Sequence, residues 1–291
     1  MRNKLTDELA VCGMNAVLAV GEHQPQTINR LFLREEHLKT FSSLCKQLAE
    51  RKRPYKICED EELERICKSV HHQGVVAMIE EPIIEPLSIE DLDLWASEGK
   101  TGIVLHSVGN DHNLGAIARA AAFFDAHFIV LNEKDTALNR PQPSAQPFGQ
   151  YGEADVLREP PISELRLTTS AYRIAEGAIE HLTIRKVTNT AAFLKDAAKQ
   201  LLVIGTDTRA RMRIGDMGSI VKRSPANTQT GAPSQSGRQG IALVLGNEET
   251  GLPQNVKDKC SYLLRIPGTG NLDSLNVSQA AALFLYAIFE A

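Results

Sequence analysis

The sequence of 291 residues contains no apolar run of about 18 residues, the length that a membrane-spanning helix requires. Its amino-terminal stretch, "MRNKLTDELAVCG", lacks the apolar core and small-residue cleavage site of a secretory signal. Hydrophobic residues make up 43% of the chain and charged residues 23%, as in soluble globular proteins. The sequence therefore predicts a cytoplasmic protein with one large domain or two modest ones, and no membrane partner.

Cysteine is scarce, and its spacing matches no common site. The five cysteines form no C-x-x-C pair and have no histidine partner at a zinc-finger spacing. An odd number of cysteines without such spacing predicts buried or free thiols in a reducing compartment. We accordingly expect no metal site, because ligand spacing is the main sequence evidence for one.

The glycine patterns of the common nucleotide-binding loops are also missing. The stretch "GIVLHSVGNDHNLGAIARAAAFFDAHFIVL" has the strand, loop, helix and strand order of a dinucleotide-binding unit, but its loop holds only Gly109 and Gly115. A dinucleotide fingerprint requires three glycines, and no G-x-x-x-x-G-K-[ST] motif occurs anywhere in the chain. These absences argue against a nicotinamide oxidoreductase and against a P-loop protein.

Basic residues are concentrated in two segments, although the net charge of -4 by itself argues against a nucleic-acid partner. Residues 34–56 contain seven basic and three acidic residues, and residues 209–238 contain six basic and one acidic residue. Two alternatives stay open, a solvated mixed-charge surface and a surface that binds RNA or another polyanion. The residues expected to contact substrate RNA are Lys52, Arg53, Arg209, Arg211, Lys222 and Arg223.

The apolar patterns divide the chain into three parts. Residues 1–80 alternate short helical and strand patterns and predict a compact α/β module. Residues 81–100 contain six acidic residues and one lysine, a composition that predicts an interdomain linker. Residues 101–291 alternate the apolar runs "GIVL", "HFIVL", "LLVIG", "IALVL" and "YLLRI" with helices at about 114–125, 190–200 and 276–289, which predicts parallel strands covered by helices on both faces.

Two segments interrupt this alternation. Residues 139–170 are rich in proline and glutamine, and residues 215–240 are rich in glycine, serine and threonine. Both are predicted to be long loops. The second, which is basic, is either a substrate lid or a tolerated surface insertion.

The helix that begins near Asn113 carries an arginine among small apolar residues. Arg119 lies six residues after Asn113, and Leu114, Ile117 and Ala118 lie between them. A guanidinium in such surroundings is costly to bury unless it meets an anion or a carboxylate. The alternatives are a buried ion pair and a guanidinium that holds a phosphate-bearing substrate.

Two further loops place polar residues after predicted strands. In "IALVLGNEETGLP" the strand ends at Gly246, Asn247 and Glu248, and in "LLRIPGTGNLDSLNVSQAAALFLY" Ser274 and Asn276 precede an apolar helix. Open α/β sheets bind ligands at the carboxyl ends of their parallel strands. For Ser274 and Asn276 the alternative is that they act only as helix caps.

Three motifs, "NLGAIAR" with the following "AAAFFDA", "LVLGNEETGLP" and "IPGTGNLDSLNVSQAAALFLY", coincide in order and spacing with those of a known family. The chain resembles the SpoU, or TrmH-like, branch of the SPOUT RNA methyltransferases over residues 101–291. Residues 9–80 look like the small L30e-like domain that precedes the catalytic domain in many members. The resemblance implies an α/β fold with an L30e-like RNA-binding domain at 1–80, a linker at 81–100 and a SPOUT domain with a carboxyl-terminal trefoil knot at 101–291.

The resemblance also implies a function. Members transfer a methyl group from S-adenosylmethionine to a ribose 2'-hydroxyl of tRNA or rRNA, and their catalytic domains pair as a homodimer. Carried onto this chain, the catalytic residues are Arg119, Asn113, Glu248, Ser274 and Asn276. The residues expected to bind the cofactor are Leu245, Gly246, Asn247, Glu248, Ile266, Pro267, Leu275 and Asn276.

The third motif departs from the family pattern. Gly268 stands where a methionine commonly follows the proline, and the loops 139–170 and 215–240 are longer than in the minimal family pattern. The alternative function is therefore a catalytically silent RNA-binding or ribosome-associated protein that retains the fold. The presence of all five predicted catalytic residues favours the enzyme, since a binding protein does not need them together.

Overall fold

The computed structural model describes residues 8–133, 166–223 and 238–291, together with the backbone of residues 2–3. Two β-sheets organise these residues, one of five strands and one of seven. None of the helices in these ranges has the length and apolarity needed to cross a membrane.

The five-stranded sheet is built by the amino-terminal part of the chain. Its strands are β1 (Arg2–Asn3), β2 (Glu8–Cys12), β3 (Ile28–Leu33), β4 (Tyr55–Ile57) and β5 (Val75–Glu80), and its helices are α1 (Met14–His23), α2 (Ser42–Glu50) and α3 (Asp60–Cys67). The order in the sheet is β1-β2-β5-β3-β4, with β5 antiparallel to both β2 and β3 and with β4 parallel to β3. α1 and α2 pack on one face of the sheet and α3 on the other, so both faces are covered.

The seven-stranded sheet is entirely parallel. Its strands are β6 (Thr101–Leu105), β7 (Ala126–Asn132), β8 (Thr183–Val187), β9 (Leu202–Thr206), β10 (Met212–Arg213), β11 (Ile241–Leu245) and β12 (Tyr262–Arg265). They are arranged in the order β10-β12-β9-β11-β6-β7-β8, and every neighbouring pair is parallel. The predicted parallel α/β domain is confirmed, whereas the trefoil knot stays a prediction.

Helices cover both faces of this sheet, as the continuous apolar runs of its central strands require. The helices are α4 (Ile89–Ser97), α5 (Asp111–Phe123), α6 (Thr169–Ala175), α7 (Thr190–Ala197), α8 (Met217–Arg223), α9 (Gln254–Lys257) and α10 (Val277–Phe289). Leu243 and Leu245 of β11 face α5, α6, α8 and α10, and Val244 faces α4, α7 and α9. The α5 and α6 side is continuous with the core beneath α1, so the two sheets share one apolar cluster.

The segment 81–100 is packed against the larger sheet. It contains α4, whose first turn is capped by Ser88, and Trp95 in this helix is fully buried. The indole Nε1 of Trp95 donates to the carbonyl oxygens of Lys100 at 3.0 Å and Ile241 at 3.2 Å. The acidic segment therefore contains a helix with one buried face. The domain boundaries stay a prediction.

Asp91 fixes α4 to β8 and gives a testable pH dependence. Its carboxylate accepts from the backbone N–H of Ser88 at 3.0 Å and from Arg185 at 2.8 and 3.2 Å. Burial raises the pKa of Asp91, but the hydrogen bonds from Arg185 and Ser88 outweigh it and hold the pKa below its ordinary value. We expect Asp91→Asn to lower the free energy of unfolding by about 1–3 kcal/mol at about pH 7.

This loss should depend on pH in one direction. A carboxyl with a depressed folded-state pKa stabilises the fold above about pH 3.9, its unfolded value, and loses that contribution as pH falls through the lower folded pKa. Urea unfolding of wild type and Asp91→Asn from about pH 7 to about pH 3 should therefore show a narrowing gap. A gap of constant size over that range would contradict the assigned ion pair.

Part of the predicted loop 215–240 is helical, so the loop prediction is wrong there. A short 3-10 turn (Ile214–Asp216) leads directly into α8, and Met217 and Ile220 of this helix are buried against the core. Burial of an i, i+3 apolar pair outweighs the low helix propensity of Gly218. Residues 224–237 lie outside the described residues, as do residues 139–165 of the other predicted loop. The last residues of that loop, 169–170, belong to α6.

Candidate active site

Two loops at the carboxyl ends of neighbouring strands β6 and β11 are tied together by backbone groups. The N–H of His106 donates to the carbonyl of Leu245 at 2.9 Å. The side-chain amide of Asn247 donates to the carbonyl of Ser107, also at 2.9 Å, and Ser107 adopts a left-handed backbone with φ of 58°. Contacts between residues far apart in sequence thus hold these two loops together at one edge of the sheet.

Three of the predicted catalytic residues meet at this edge. Asn113 is 7% exposed in the first turn of α5, and its side-chain Nδ2 donates to Glu248 Oε1. Its Oδ1 accepts from Asn276 Nδ2 at 3.1 Å. Asn276 in turn caps α10, because its Oδ1 accepts from the N–H of Ser278 at 2.8 Å. The amide of Asn113 therefore joins the three motif loops, and the helix-cap alternative for Asn276 is true in addition to this contact.

The loop after β11 closes tightly on itself. Asn247 Oδ1 accepts from the N–H groups of Glu249 and Thr250 at 2.9 and 3.1 Å, and the Gly251 N–H donates to the Asn247 carbonyl at 2.9 Å. A Cβ atom on Gly246 would lie 2.5 Å from the carbonyl carbon of Gly251. Only glycine fits there, because the loop's own backbone occupies the space that a side chain would need.

Leu245 and the residues of the third motif differ in burial and in their contacts with the Asn113 cluster. Leu245 is buried, so only its backbone faces the loops. Ile266 packs partly against the core, whereas Pro267, Ser274 and Leu275 are exposed. Ser274 makes no hydrogen bond to any residue in the described part of the chain. The structure therefore does not bring Ser274, Pro267 or Leu275 into the Asn113 cluster.

Arg119 lies on the surface, so the ion pair that was one alternative for it is present but is not buried. Its side chain is 58% exposed and its Nη1 lies 3.0 Å from Glu176 Oε1. Six residues along a helix correspond to a rotation of about 600°, so Arg119 points about 120° away from Asn113. The apolar neighbours face the sheet and α6, and Arg119 faces away from the Asn113 cluster.

Glu176 was missed by the sequence analysis. It follows α6 in a left-handed conformation with φ of 48°, and its Oε2 also accepts from Asn15 Nδ2 at 3.4 Å. No motif marks it, because its relation to Arg119 depends on the packing of α6 against α5. It is the carboxylate partner that the sequence required for Arg119 but could not name.

Three of the seven basic residues of the first segment, Arg34, Arg53 and Lys56, are paired with carboxylates of neighbouring residues. Arg53 donates to Asn29 and lies 3.8 Å from Glu80, while Lys52 is exposed. Lys56 is paired with Glu62 at 2.7 Å, whereas Lys39, Lys46 and Arg51 are exposed and form no ion pair with the described residues. This segment is therefore less available for phosphate contacts than its composition predicts.

The second basic segment also has cations that are available for phosphate contacts. Four of its side chains are exposed and form no ion pair with the described residues: Arg209, Arg211, Lys222 and Arg223. They belong to the β9–β10 connection and to α8. Uncompensated positive charge of this kind is what attracts a polyanion.

The titratable groups near α5 supply no metal ligands in an obvious cluster. Burial raises the pKa of Asp111 at the start of α5, although a hydrogen bond involving Thr168 opposes the shift. Across the described ranges, no group of three His, Cys, Asp or Glu side chains is placed to hold a metal ion. The groups presented at the loops are thus amides, the Glu248 carboxylate and backbone N–H and C=O groups.

Comparison with known proteins identifies relatives along most of the chain. Residues 10–84 match the family model described as RNA 2'-O ribose methyltransferase substrate binding, and residues 152–286 match that of the SpoU rRNA Methylase family. A putative TrmH family tRNA/rRNA methyltransferase, YacO of Bacillus subtilis, is 30% identical over 222 residues, which are 75% of this chain and 70% of the relative. The 23S rRNA (guanosine-2'-O-)-methyltransferase RlmB of Bordetella pertussis is 26% identical over 281 residues, 95% of this chain and 94% of the relative.

Solved structures share the fold. An AdoMet-bound rRNA methyltransferase from Sinorhizobium meliloti has a TM-score of 0.67 at 20% identity and covers 98% of this chain and 87% of its own. The SpoU methyltransferase AviRb from Streptomyces viridochromogenes, also with AdoMet, has a TM-score of 0.63 at 18% identity, over 98% of this chain and 91% of its own. At these identities the likeness establishes the common fold.

Proposed function

The chain belongs to the SpoU, or TrmH, family of RNA methyltransferases, and from this premise we propose that it transfers a methyl group from S-adenosylmethionine to a ribose 2'-hydroxyl of RNA. The observation that carries the proposal is the Asn113 cluster, in which Asn113, Glu248 and Asn276 join the three motif loops at the carboxyl edge of the parallel sheet. A matched substrate-binding domain precedes this site. Together they are what an RNA-modifying enzyme requires.

The loops fit the cofactor. In our proposal the backbone of Leu245, Gly246 and Asn247 contacts the cofactor, and the tight turn at Gly246 holds that backbone in place, since a Cβ atom there would force the turn open. Ile266, Pro267, Leu275 and Asn276 would complete the site from the third loop. S-adenosylmethionine supplies there a methyl group on a positively charged sulfur, which is electrophilic.

The chain's own residues have to position and activate the acceptor. A ribose hydroxyl is a weak acid, so it must be held in line and relieved of its proton as it attacks. In our proposal the Arg119 guanidinium binds a substrate phosphate and stabilises negative charge on the neighbouring hydroxyl oxygen. Asn113, Glu248 and Asn276 fix the loops, and Ser274 joins them when the third loop contacts substrate.

The RNA reaches this site across the exposed basic residues of the second segment. Arg209, Arg211, Lys222 and Arg223 are our proposed phosphate contacts, together with the exposed Lys52 in the turn between α2 and β4. The named relatives act on rRNA or on tRNA/rRNA. We propose the same substrate class for this chain, with the cytoplasm as the compartment.

We also propose a homodimer through the larger sheet's helices. Phe123, Phe124, Tyr286 and Phe289 form an aromatic patch on α5 and α10, with ring centroids of Phe124 6.0 Å from Tyr286 and 6.1 Å from Phe289. Phe123 is 80% exposed, and exposed apolar patches of this kind mark interaction surfaces. Light scattering should give twice the chain mass for wild type and a lower mass for Phe123→Glu; a monomeric wild type would contradict the dimer.

Calorimetry and ribose mapping test the function. We expect S-adenosylmethionine to bind at micromolar to millimolar concentration, and mass spectrometry of tRNA and rRNA to show a 2'-O-methylated nucleotide that is lost from cells lacking the protein. RNA binding without cofactor binding at millimolar concentration would instead support the silent RNA-binding alternative and would contradict the proposal.

A further inference from the structure

A cavity of about 220 Å³ lies where the smaller sheet meets the larger one. Its polar lining comes from both parts of the chain: Asn15, His71 and Gln73 from the first, Arg173 and Glu176 from the second. We call it the inter-sheet pocket. None of the three motif loops contributes to it, so the Asn113 cluster does not account for it.

The walls of the inter-sheet pocket are held at a fixed separation. Glu176 is followed by Gly177, whose φ is 90°, and a Cβ atom on Gly177 would lie 2.8 Å from Ala19 Cβ and 2.9 Å from the Asn15 carbonyl oxygen. Asn15 Nδ2 also donates to Glu176 Oε2 at 3.4 Å. This close approach of α1 to the end of α6 means that the pocket is formed before any ligand arrives.

Most polar groups in the pocket already have partners. Gln73 Oε1 accepts from the Met14 N–H at 2.8 Å, and the Glu176 carboxylate is shared by Arg119 and Asn15. Arg173 differs, because its guanidinium has no hydrogen bond or ion pair with any described residue although the side chain is partly buried.

A partly buried guanidinium without a counter-charge calls for an anionic ligand. Arginine is rarely buried unpaired, and its planar group of donors matches the oxygens of a phosphate. The one carboxylate of the pocket, Glu176, is engaged by Arg119 at 3.0 Å, so it opposes an anion less than a free carboxylate would. The pocket therefore favours a phosphate.

We propose that the inter-sheet pocket binds a backbone phosphate of the substrate RNA through Arg173. The inference rests on the proposed function and extends it: Arg173 lines the pocket together with Glu176, the partner of Arg119, so the two guanidinium groups would hold two phosphates of one RNA strand. Arg173 acts as a positioning residue, because it holds the RNA strand between the smaller sheet and the phosphate contact proposed for Arg119.

The test compares RNA affinity at several salt concentrations. The probe is unmodified 23S rRNA transcribed in vitro, and the full-length variants are Arg173→Gln, Arg173→Lys and the control Lys195→Ala. Lys195 is an exposed cation on α7, on the opposite face of the larger sheet, and it has no ion pair with the described residues. Thermal unfolding of each variant establishes that it is folded at the binding temperature.

We expect Arg173→Gln to weaken RNA binding about 5- to 10-fold at about 0.1 M salt and to reduce the slope of log K against log salt by about 0.7–0.9, the value for one phosphate contact. Lys195→Ala should stay within about two-fold of wild type in affinity. Arg173→Lys should keep the wild-type salt slope because it keeps the charge, and its affinity should lie between those of wild type and Arg173→Gln because it loses the planar donor group. S-adenosylmethionine binding should be the same in all four proteins.

Two outcomes would overturn the inference. One is an Arg173→Gln variant with the affinity and salt slope of Lys195→Ala. The other is a combination of two results: inorganic phosphate displaces RNA from wild type more than chloride does at equal ionic strength, and Arg173→Gln binds RNA as tightly as wild type. That combination would assign the pocket to free phosphate. Failure of wild type to bind S-adenosylmethionine would contradict the proposed function but leaves the slope comparison intact, so the two failures are distinguishable.

Discussion

Gly246→Ala should lower S-adenosylmethionine affinity by about 100-fold, because overpacking of this kind costs up to about 3 kcal/mol and about 1.4 kcal/mol corresponds to tenfold in affinity. The added Cβ would lie 2.5 Å from the Gly251 carbonyl carbon and 2.6 Å from the Leu252 nitrogen. Both are backbone atoms of the same loop, so no side-chain rotation relieves the clash. The loop must open, and the backbone groups proposed to contact the cofactor move with it.

The matched control is Gly218→Ala in α8, where an added Cβ meets nothing within 4 Å. Alanine is the better helix former, so this variant should be as stable as wild type or slightly more so. Calorimetry of both variants, at a temperature where circular dichroism shows them folded, gives the comparison. Wild-type cofactor affinity in Gly246→Ala would remove this loop from the proposed site.

The second large effect is expected at Arg119. Arg119→Ala should reduce methyl transfer by about 100- to 1,000-fold, the usual result of removing one group that stabilises developing negative charge. Its ion pair with Glu176 joins side chains that are 58% and 39% exposed, so the pair contributes at most about 1 kcal/mol to stability. A large loss of rate with a nearly unchanged melting temperature would therefore show that Arg119 acts on substrate.

Two controls separate charge from geometry at this position. Arg119→Lys keeps the charge but loses the planar donor group, so we expect an intermediate rate. Lys195→Ala removes one cation from the opposite face of the sheet and should methylate RNA like wild type. A rate in Arg119→Ala equal to that of Lys195→Ala would show that the guanidinium has only a structural role.

Local sequence patterns predicted the regular elements well where the apolar periodicity was strong. The runs "IALVL" and "LLVIG" are β11 and β9, and the apolar stretch before the carboxyl terminus is α10. α6, β8 and α8 were not predicted, because they are short and their residues are only partly apolar. Their positions depend on the surfaces that they cover.

The site divides in the same way. The motifs identified Asn113, Glu248 and Asn276 as residues that belong together, and the structure joins them across 135 and 163 positions of sequence. The roles given to Ser274, Pro267 and Leu275 stay predictions, since these residues lie exposed in the third loop. Of the two alternatives for Arg119, the ion pair is present but lies at the surface, because composition says which residues share a helix but not which side of it is covered.

The sequence by itself determined the α/β class, the parallel strands of the larger sheet and the three motif loops, since these follow from local periodicity and from glycine and polar residues at strand ends. Tertiary structure alone decided that β11 lies between β6 and β9, that Glu176 pairs with Arg119, and that Arg173 faces the inter-sheet pocket. The physical reason is the separation in sequence of the residues that make these contacts. Strand order and helix packing bring together residues that no local pattern relates, and the free energy that selects them comes from burial over the whole core.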